Sequence, residues 1–237
     1  MTSDSSYGRV ISLPQSKGHK PARPAVLPPD VRVLTDVLPA KPFDPAAMGF
    51  LLSLLPASQA PVLWVQDRMS MRENGRLYSP GVQGFGLTQP ILHVAVSHPR
   101  DVLWAMEEGA SCAGLSAVVG EIHGGPAVLD FTATKRLALR SETSGVPVWL
   151  LRSGDPGGLS AARERWRISS LPSDAHPHNP QAPGAPRWDA DLFRARARPP
   201  GQWVASHDAS DGLCLLPGAG DGTVDASEPS SQDAARR

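Results

Sequence analysis

The chain has 237 residues, 41% of them hydrophobic, and its 23 lysines and arginines balance 23 aspartates and glutamates. That length holds one sizeable domain with tails, and zero net charge excludes a global field aimed at nucleic acid or membrane. Two cysteines, Cys112 and Cys214, exclude a disulfide framework and show no metal-ligand spacing.

Residues 1–30 are rich in Ser, Pro, Gly and Lys without an apolar period, and read as a disordered N-terminal arm. The arm lacks the apolar core of a signal peptide, and no apolar run reaches the roughly 18 residues of a membrane span. A cytoplasmic location, away from membranes, is therefore expected. One domain is expected over 31–206. In it, Asp44 and Pro45 form an N-cap and first-turn pair that opens a helix running through Leu55. Residues 62–66 form a short apolar strand, Ser79 and Pro80 open a helical turn, and 91–96 form another strand. Ser97, His98 and Pro99 start a helix that carries Val102, Leu103 and Met106 and ends near Gly114, with Cys112 as a buried thiol. Residues 116–122 have the continuous apolar character of a strand buried on both faces. Residues 132–144 form a helix with Leu137 on its apolar side and Gly145 as its C-terminal cap, followed by a strand at 146–151.

Strand–helix–strand repetition predicts an α/β fold with a mostly parallel sheet flanked by helices. After Ser160 the pattern changes to strands alone, at 163–169, 187–197 and 202–206, as an antiparallel extension would require. Between them Pro172, Pro177, Pro180, Pro183 and Pro186 exclude a helix or central strand from 172–186, which reads as a surface loop within the domain. Residues 207–237 read as a disordered acidic tail. Charge is uneven along the chain: residues 132–198 hold eleven Lys/Arg against six Asp/Glu, and residues 200–237 hold two against six.

Residues 44–152 have the rhythm of a recombinase nucleotide-binding core, but the loop that cradles phosphate is missing. A P-loop needs Gly-x-x-x-x-Gly-Lys followed by Ser or Thr, so that backbone amides and a lysine meet the phosphates. The corresponding stretch here is Leu38-Pro39-Ala40-Lys41-Pro42-Phe43-Asp44-Pro45. It has no glycine, and its three prolines remove backbone donors. Lys41 reads as a solvated lysine. Glu121, ending an apolar strand, is placed where phosphoryl transfer would need a carboxylate. Without phosphate its default role is to hydrogen-bond a nearby loop. His123 shares its strand face. His176 and His178 bracket Pro177 without acid or thiol neighbours, and Gly218, Gly220 and Gly222 follow no strand and read as linker. No nucleophilic triad stands out, and no catalytic, cofactor-binding or metal-binding residue is assigned.

The arginines are the stronger lead. On a strand, Arg163, Arg165 and Arg167 share one face, with Glu164, Trp166 and Ile168 on the other, the last two toward the core. Arg194, Arg196 and Arg198 repeat the device. They share parity with Trp188, Ala190 and Leu192, which requires a bulge near Phe193 or a strand running off the core. If the two strands are neighbours, up to six guanidinium groups lie on one surface, with Arg187 a weaker addition. Such a surface suits phosphate backbones or an acidic partner. It also suits a solvated strand face that blocks edge aggregation. Base-stacking aromatics are not obvious there, so any DNA binding would be salt-sensitive and weakly sequence-selective.

Several stretches together resemble a known family. They are Val62-Leu63-Trp64-Val65-Gln66-Asp67, Gly75-Arg76-Leu77-Tyr78-Ser79-Pro80-Gly81, Gly86-Leu87, Asp101-Val102-Leu103-Trp104-Ala105-Met106-Glu107-Glu108-Gly109 and Ala117-Val118-Val119-Gly120-Glu121. Leu129-Asp130-Phe131-Thr132-Ala133-Thr134-Lys135-Arg136-Leu137, Ser144-Gly145-Val146-Pro147, Ala161-Ala162-Arg163-Glu164-Arg165-Trp166 and Gly184-Ala185-Pro186-Arg187-Trp188 follow. Over roughly 35–206 this order is similar to the ImuA family of bacterial DNA-damage-inducible mutagenesis proteins. The resemblance implies a RecA-like fold without a functional phosphate loop. It also implies a role in SOS-induced translesion synthesis beside an ImuB-like Y-family protein and an error-prone C-family DNA polymerase, with contact to the RecA recombinase itself. It carries over no catalytic residues. The proline-rich segment before the first helix and the Ser-rich and acidic tails depart from the family.

The expected function is a non-catalytic adaptor in DNA damage tolerance, with Arg163, Arg165, Arg167, Arg187, Arg194, Arg196 and Arg198 as candidate contacts to partner or DNA. Three rivals stand beside it: a SulA-like cell-division inhibitor, a degenerate RecA-like ATPase using Glu121, and a structural domain whose arginines are merely solvated.

Overall fold

The computed structural model describes residues 33–155, 157–208 and 212–217. The expected N-terminal arm, and the tail beyond 217 with Gly218, Gly220 and Gly222, lie outside the described residues. The elements, in chain order, are β1 (Leu34–Pro39), α1 (Ala46–Leu54), β2 (Val62–Asp67), α2 (Arg68–Asn74), α3 (Ser79–Gln83), β3 (Ile91–Val96) and α4 (Pro99–Ala110). They continue with β4 (Ala117–His123), α5 (Phe131–Ser144), β5 (Val148–Ser153), β6 (Glu164–Leu171), β7 (Arg187–Ala195), β8 (Gly201–Asp208) and β9 (Gly212–Pro217).

All nine strands form one sheet in the order β3-β2-β4-β5-β1-β6-β7-β8-β9. The six strands from β3 to β6 pair in parallel, and β6, β7, β8 and β9 continue antiparallel. The expected mostly parallel sheet with an antiparallel C-terminal extension is what the chain forms. No described helix is long and apolar enough to cross a membrane.

Alternate residues on each strand feed two cores. Trp64, Val119, Trp149, Trp166 and Ile168 meet α1 on one face, and Val65, Val118, Ile122 and Leu150 meet α4 and α5 on the other. Because the inner strands are covered on both sides, they read as apolar runs rather than alternations. Leu137 is fully buried, as its helical position requires. Local chemistry fixes the helix ends. Asp67 Oδ1 accepts from Ser70 N at 2.7 Å at the start of α2, and Asp130 Oδ1 accepts from Ala133 N at 2.7 Å at the start of α5. Gly145, at φ 75°, closes α5.

Several expectations need correction. Strand β1 was hidden because Asp36 interrupts its apolar run, and α2 because it is short and polar. Helix α4 stops at Ala110, so Cys112 lies beyond it and is exposed rather than buried. The acidic tail does not begin at 207: β8 reaches Asp208, and β9 adds an edge strand that buries Leu215. Strand β7 ends at Ala195, short of 197. The proline-rich stretch is a loop within the domain, pinned by an isolated bridge between Ala175 and Pro183. Arg165 pairs with Arg194 and Trp166 with Leu192, which leaves Phe193 as the extra residue of a bulge. The parity change expected near Phe193 is therefore real, and it returns Trp188, Ala190 and Leu192 to the core.

Candidate functional site

Helix α1 follows β1 on one face, whereas α4 and α5 lie on the other. The sheet therefore has a switch point at the carboxyl ends of β1, β5 and β4, where open α/β sheets bind ligands. A cleft of about 260 Å³ opens there, lined among others by Pro42, Phe43, Asp44, Met48, Glu73, Asn74, His123 and Ser153.

The β1–α1 loop shapes its mouth. Asp44 lies at the start of α1, where its Oδ1 accepts from Ala46 N at 2.9 Å and from Ser170 Oγ at 2.5 Å. Its Oδ2 accepts from Ser170 N at 2.9 Å, which ties the loop to β6. Partial burial pushes the Asp44 carboxyl up, but hydrogen bonds from Ser170 and Ala46 outweigh it and hold the group below the usual aspartate value. An ionised carboxylate of the chain thus sits at the mouth of this cleft. Pro45 has no N–H to offer, and no lysine or arginine is among the described residues lining the cleft. Lys41 is exposed and outside the lining. Phe43 has φ 62°, the one positive value at a non-glycine position among the described residues, and its ring is 73% exposed at the rim.

Glu121 lies behind the cleft and is fully buried. Its Oε1 accepts from Trp64 Nε1 at 2.6 Å and Gln66 Nε2 at 3.0 Å, and its Oε2 accepts from Asn74 Nδ2 at 3.2 Å. Asn74 Nδ2 also donates to Ser153 Oγ at 3.1 Å, and Gln66 Nε2 to Gly75 O at 3.0 Å. Glu121 is thus a strut between β2, β4 and the end of α2 rather than a partner of a nearby loop, and β4 runs on past it to His123. Burial raises its carboxyl above the usual glutamate value. Trp64, Asn74 and Gln66 oppose that rise, and Asp67 adds to it. His123, on the same strand face, reaches the cleft wall with its Nδ1 buried and without a partner among the described residues.

The arginines do not form one surface. Arg163, Arg165 and Arg167 do share a face opposite Trp166 and Ile168, but each is committed. Arg163 pairs with Glu142 of α5. Arg165 is only 5% exposed, and its Nε donates to Asp36 Oδ2 at 3.1 Å. Arg167 pairs with Asp191 at 3.4 Å, and its guanidinium and that of Arg165 flank the Phe193 ring at 4.6 and 5.1 Å. Arg198 turns to the other face, where it makes two 2.8 Å hydrogen bonds to Glu164 and covers Trp166. Arg187 lies 3.5 Å from Asp174. Arg194 and Arg196 are exposed and form no ion pair with a described residue. The expected surface of six guanidinium groups thus reduces to these two, because the bulge and the local carboxylates redirect the rest. His176 and His178 meet edge to face, their ring centroids 6.1 Å apart, in the proline-rich loop, and no group of three metal-ligating side chains occurs among the described residues.

Sequence reasoning passed over a buried charge cluster. Asp36 Oδ2 accepts from Arg152 Nη1 at 2.9 Å as well as from Arg165, Arg152 also pairs with Asp155, and Arg165 Nη2 donates to Gly158 O at 3.1 Å. The cluster fastens the β5–β6 connection, which has no helix among its described residues, across β1. The signal was present: Asp36 and Arg152 each interrupt an apolar run, and charges in such runs are buried only when paired. Trp64, Gln66 and Asn74 gave no comparable signal.

The chain matches no protein-family model and no curated protein.

Proposed function

We propose that the protein is a non-catalytic adaptor of the ImuA type, with a RecA-like core, acting in the cytoplasm in damage-induced translesion synthesis. Its partners on this reading are an ImuB-like protein, an error-prone C-family polymerase and the RecA recombinase. The observation that carries the reading is the Asp44 carboxylate at the start of α1, with Pro45 behind it. On this reading the β1–α1 loop at the switch point corresponds to the phosphate loop of a nucleotide-binding domain, and the chain's own carboxylate stands in its place. The use of Glu121 as a strut supports the same reading, because a buried carboxylate with three donors is not free to activate water. Arg194 and Arg196 are the candidates for DNA or partner contact.

The test is a pull-down from DNA-damaged cells with the full chain as bait, with fluorescence anisotropy on single-stranded DNA at two salt concentrations in parallel. Recovery of an ImuB-like protein, a polymerase or the recombinase is the expected result, with any DNA binding weakened by salt. Recovery of a division protein instead, with filamentation on overexpression, would replace this reading with the SulA-like one. Thermal stabilisation by Mg-ATP would replace it with the ATPase.

A further inference from the structure

We propose that the outward face of α4 is where a second copy of this chain docks, in a twofold-symmetric dimer centred on Trp104. Helix α4 buries Val102, Leu103, Met106 and Ala110 in the core, so its opposite face should be polar. Trp104 departs from that pattern and is 65% exposed. Beside it, between α4 and the start of α5, lies a groove of about 430 Å³. Trp104 is one wall of the groove, and Leu103, Val128 and Ala133 give it apolar surface. A protruding indole and a groove with room for one thus lie side by side on one surface, as a self-complementary interface requires.

Charge selects a second copy as the occupant. Arg100 and Glu108 lie four residues before and four after Trp104, on the same helix face and about 6 Å from it along the axis. Both are exposed. The one ion pair of Arg100 is with its sequence neighbour Asp101, at 3.9 Å, and Glu108 forms none with a described residue. The other charges of the groove are committed, Arg136 to Glu107 at 2.9 Å and Asp130 to the cap of α5. A twofold axis passing by Trp104 at right angles to α4 runs the two α4 helices antiparallel. The residue four before Trp104 in one copy then faces the residue four after it in the other. Arg100 thereby meets Glu108 twice, and each indole enters the groove of the other copy. Like charges never face each other in this arrangement, whereas a partner of a single sign would meet repulsion at one end of the stripe.

The test is sedimentation equilibrium of the full chain and of charge-exchange variants. The parent is expected to associate to a dimer. Trp104→Ala is expected to weaken that dimer at least about thirtyfold, the scale of a tryptophan at the centre of an interface. Its Tm is expected to stay unchanged, because the side chain is exposed in the single copy. Arg100→Glu and Glu108→Arg each set like charges opposite one another at two places, and each is expected to weaken the dimer about tenfold. The double variant Arg100→Glu/Glu108→Arg exchanges the charges across the axis and is expected to return to within about threefold of the parent. Contacts within one copy do not produce that rescue, since the two residues stand about 12 Å apart along the helix. A parent that stays monomeric up to its solubility limit would overturn the proposal. So would a dimer that Trp104→Ala leaves intact, or a double variant no tighter than the single ones.

Discussion

Arg152 and Asp36 meet on neighbouring strands, Nη1 to Oδ2 at 2.9 Å, with 1% and 0% of their side chains exposed. Removing one partner of a buried pair leaves a charge without compensation, at a cost of about 3–5 kcal/mol. Asp36 serves Arg165 as well, so Asp36→Ala strands two guanidinium groups. That variant is expected to lose about 3–5 kcal/mol in urea unfolding. Asp36→Asn, which keeps an acceptor, is expected to lose less. A loss for Asp36→Ala within the range of an ordinary surface substitution would show that the cluster does not fasten the β5–β6 connection.

Glu121 makes stability depend on pH with a defined sign. Its folded carboxyl titrates above the usual glutamate value because burial raises it. Between the unfolded and folded values the native chain keeps a proton that the unfolded chain has released, so stability falls as pH rises through that window. Glu121→Gln carries no such proton. The urea midpoint of the variant, measured relative to the parent, is therefore expected to climb from acid toward neutral pH. An offset that stays constant across that range would mean that the carboxyl is not shifted.

Charge reversals separate contact from scaffold among the arginines. Arg194→Glu and Arg196→Glu change exposed side chains without described ion partners and are expected to move stability by no more than about 0.5 kcal/mol. If these residues touch DNA or a partner, the double variant loses that binding while remaining folded. Arg165→Glu places a second carboxylate beside Asp36 and is expected to unfold the domain or cost at least about 3 kcal/mol. Circular dichroism melts alongside anisotropy would distinguish the cases. Unchanged binding in the Arg194/Arg196 double variant would remove that surface from the scheme.

Close packing of α4 on β4 depends on an absent side chain. A Cβ at Gly120 would lie 2.1 Å from Met106 Sδ and 3.0 Å from its Cγ, and Met106 is fully buried. Gly120→Ala is expected to cost about 1–3 kcal/mol through overpacking. Adding Met106→Ala should cost less than the sum of the two single losses, because the clash and the methionine go together. Strict additivity in urea unfolding would place the origin of the loss elsewhere.

The elements were legible where chemistry is local. Gly145 marks the end of α5 in the sequence, and the Phe193 bulge followed from a conflict of parity between Trp188 and Arg194. The site was less legible because its parts meet only through the sheet. Trp64, Gln66, Asn74 and Glu121 come from three elements. Arg165 read as a surface residue because strand alternation assigns a face, not what covers it. Its face is closed by Asp36, 129 residues away, and by the backbone at Gly158. Arg198 was misplaced because it lies beyond the end of β7, where alternation no longer applies.

The anion at the start of α1 is part of the polypeptide. It arrives with folding and departs only with unfolding, so the mouth of the cleft keeps one fixed negative charge for as long as the domain is folded.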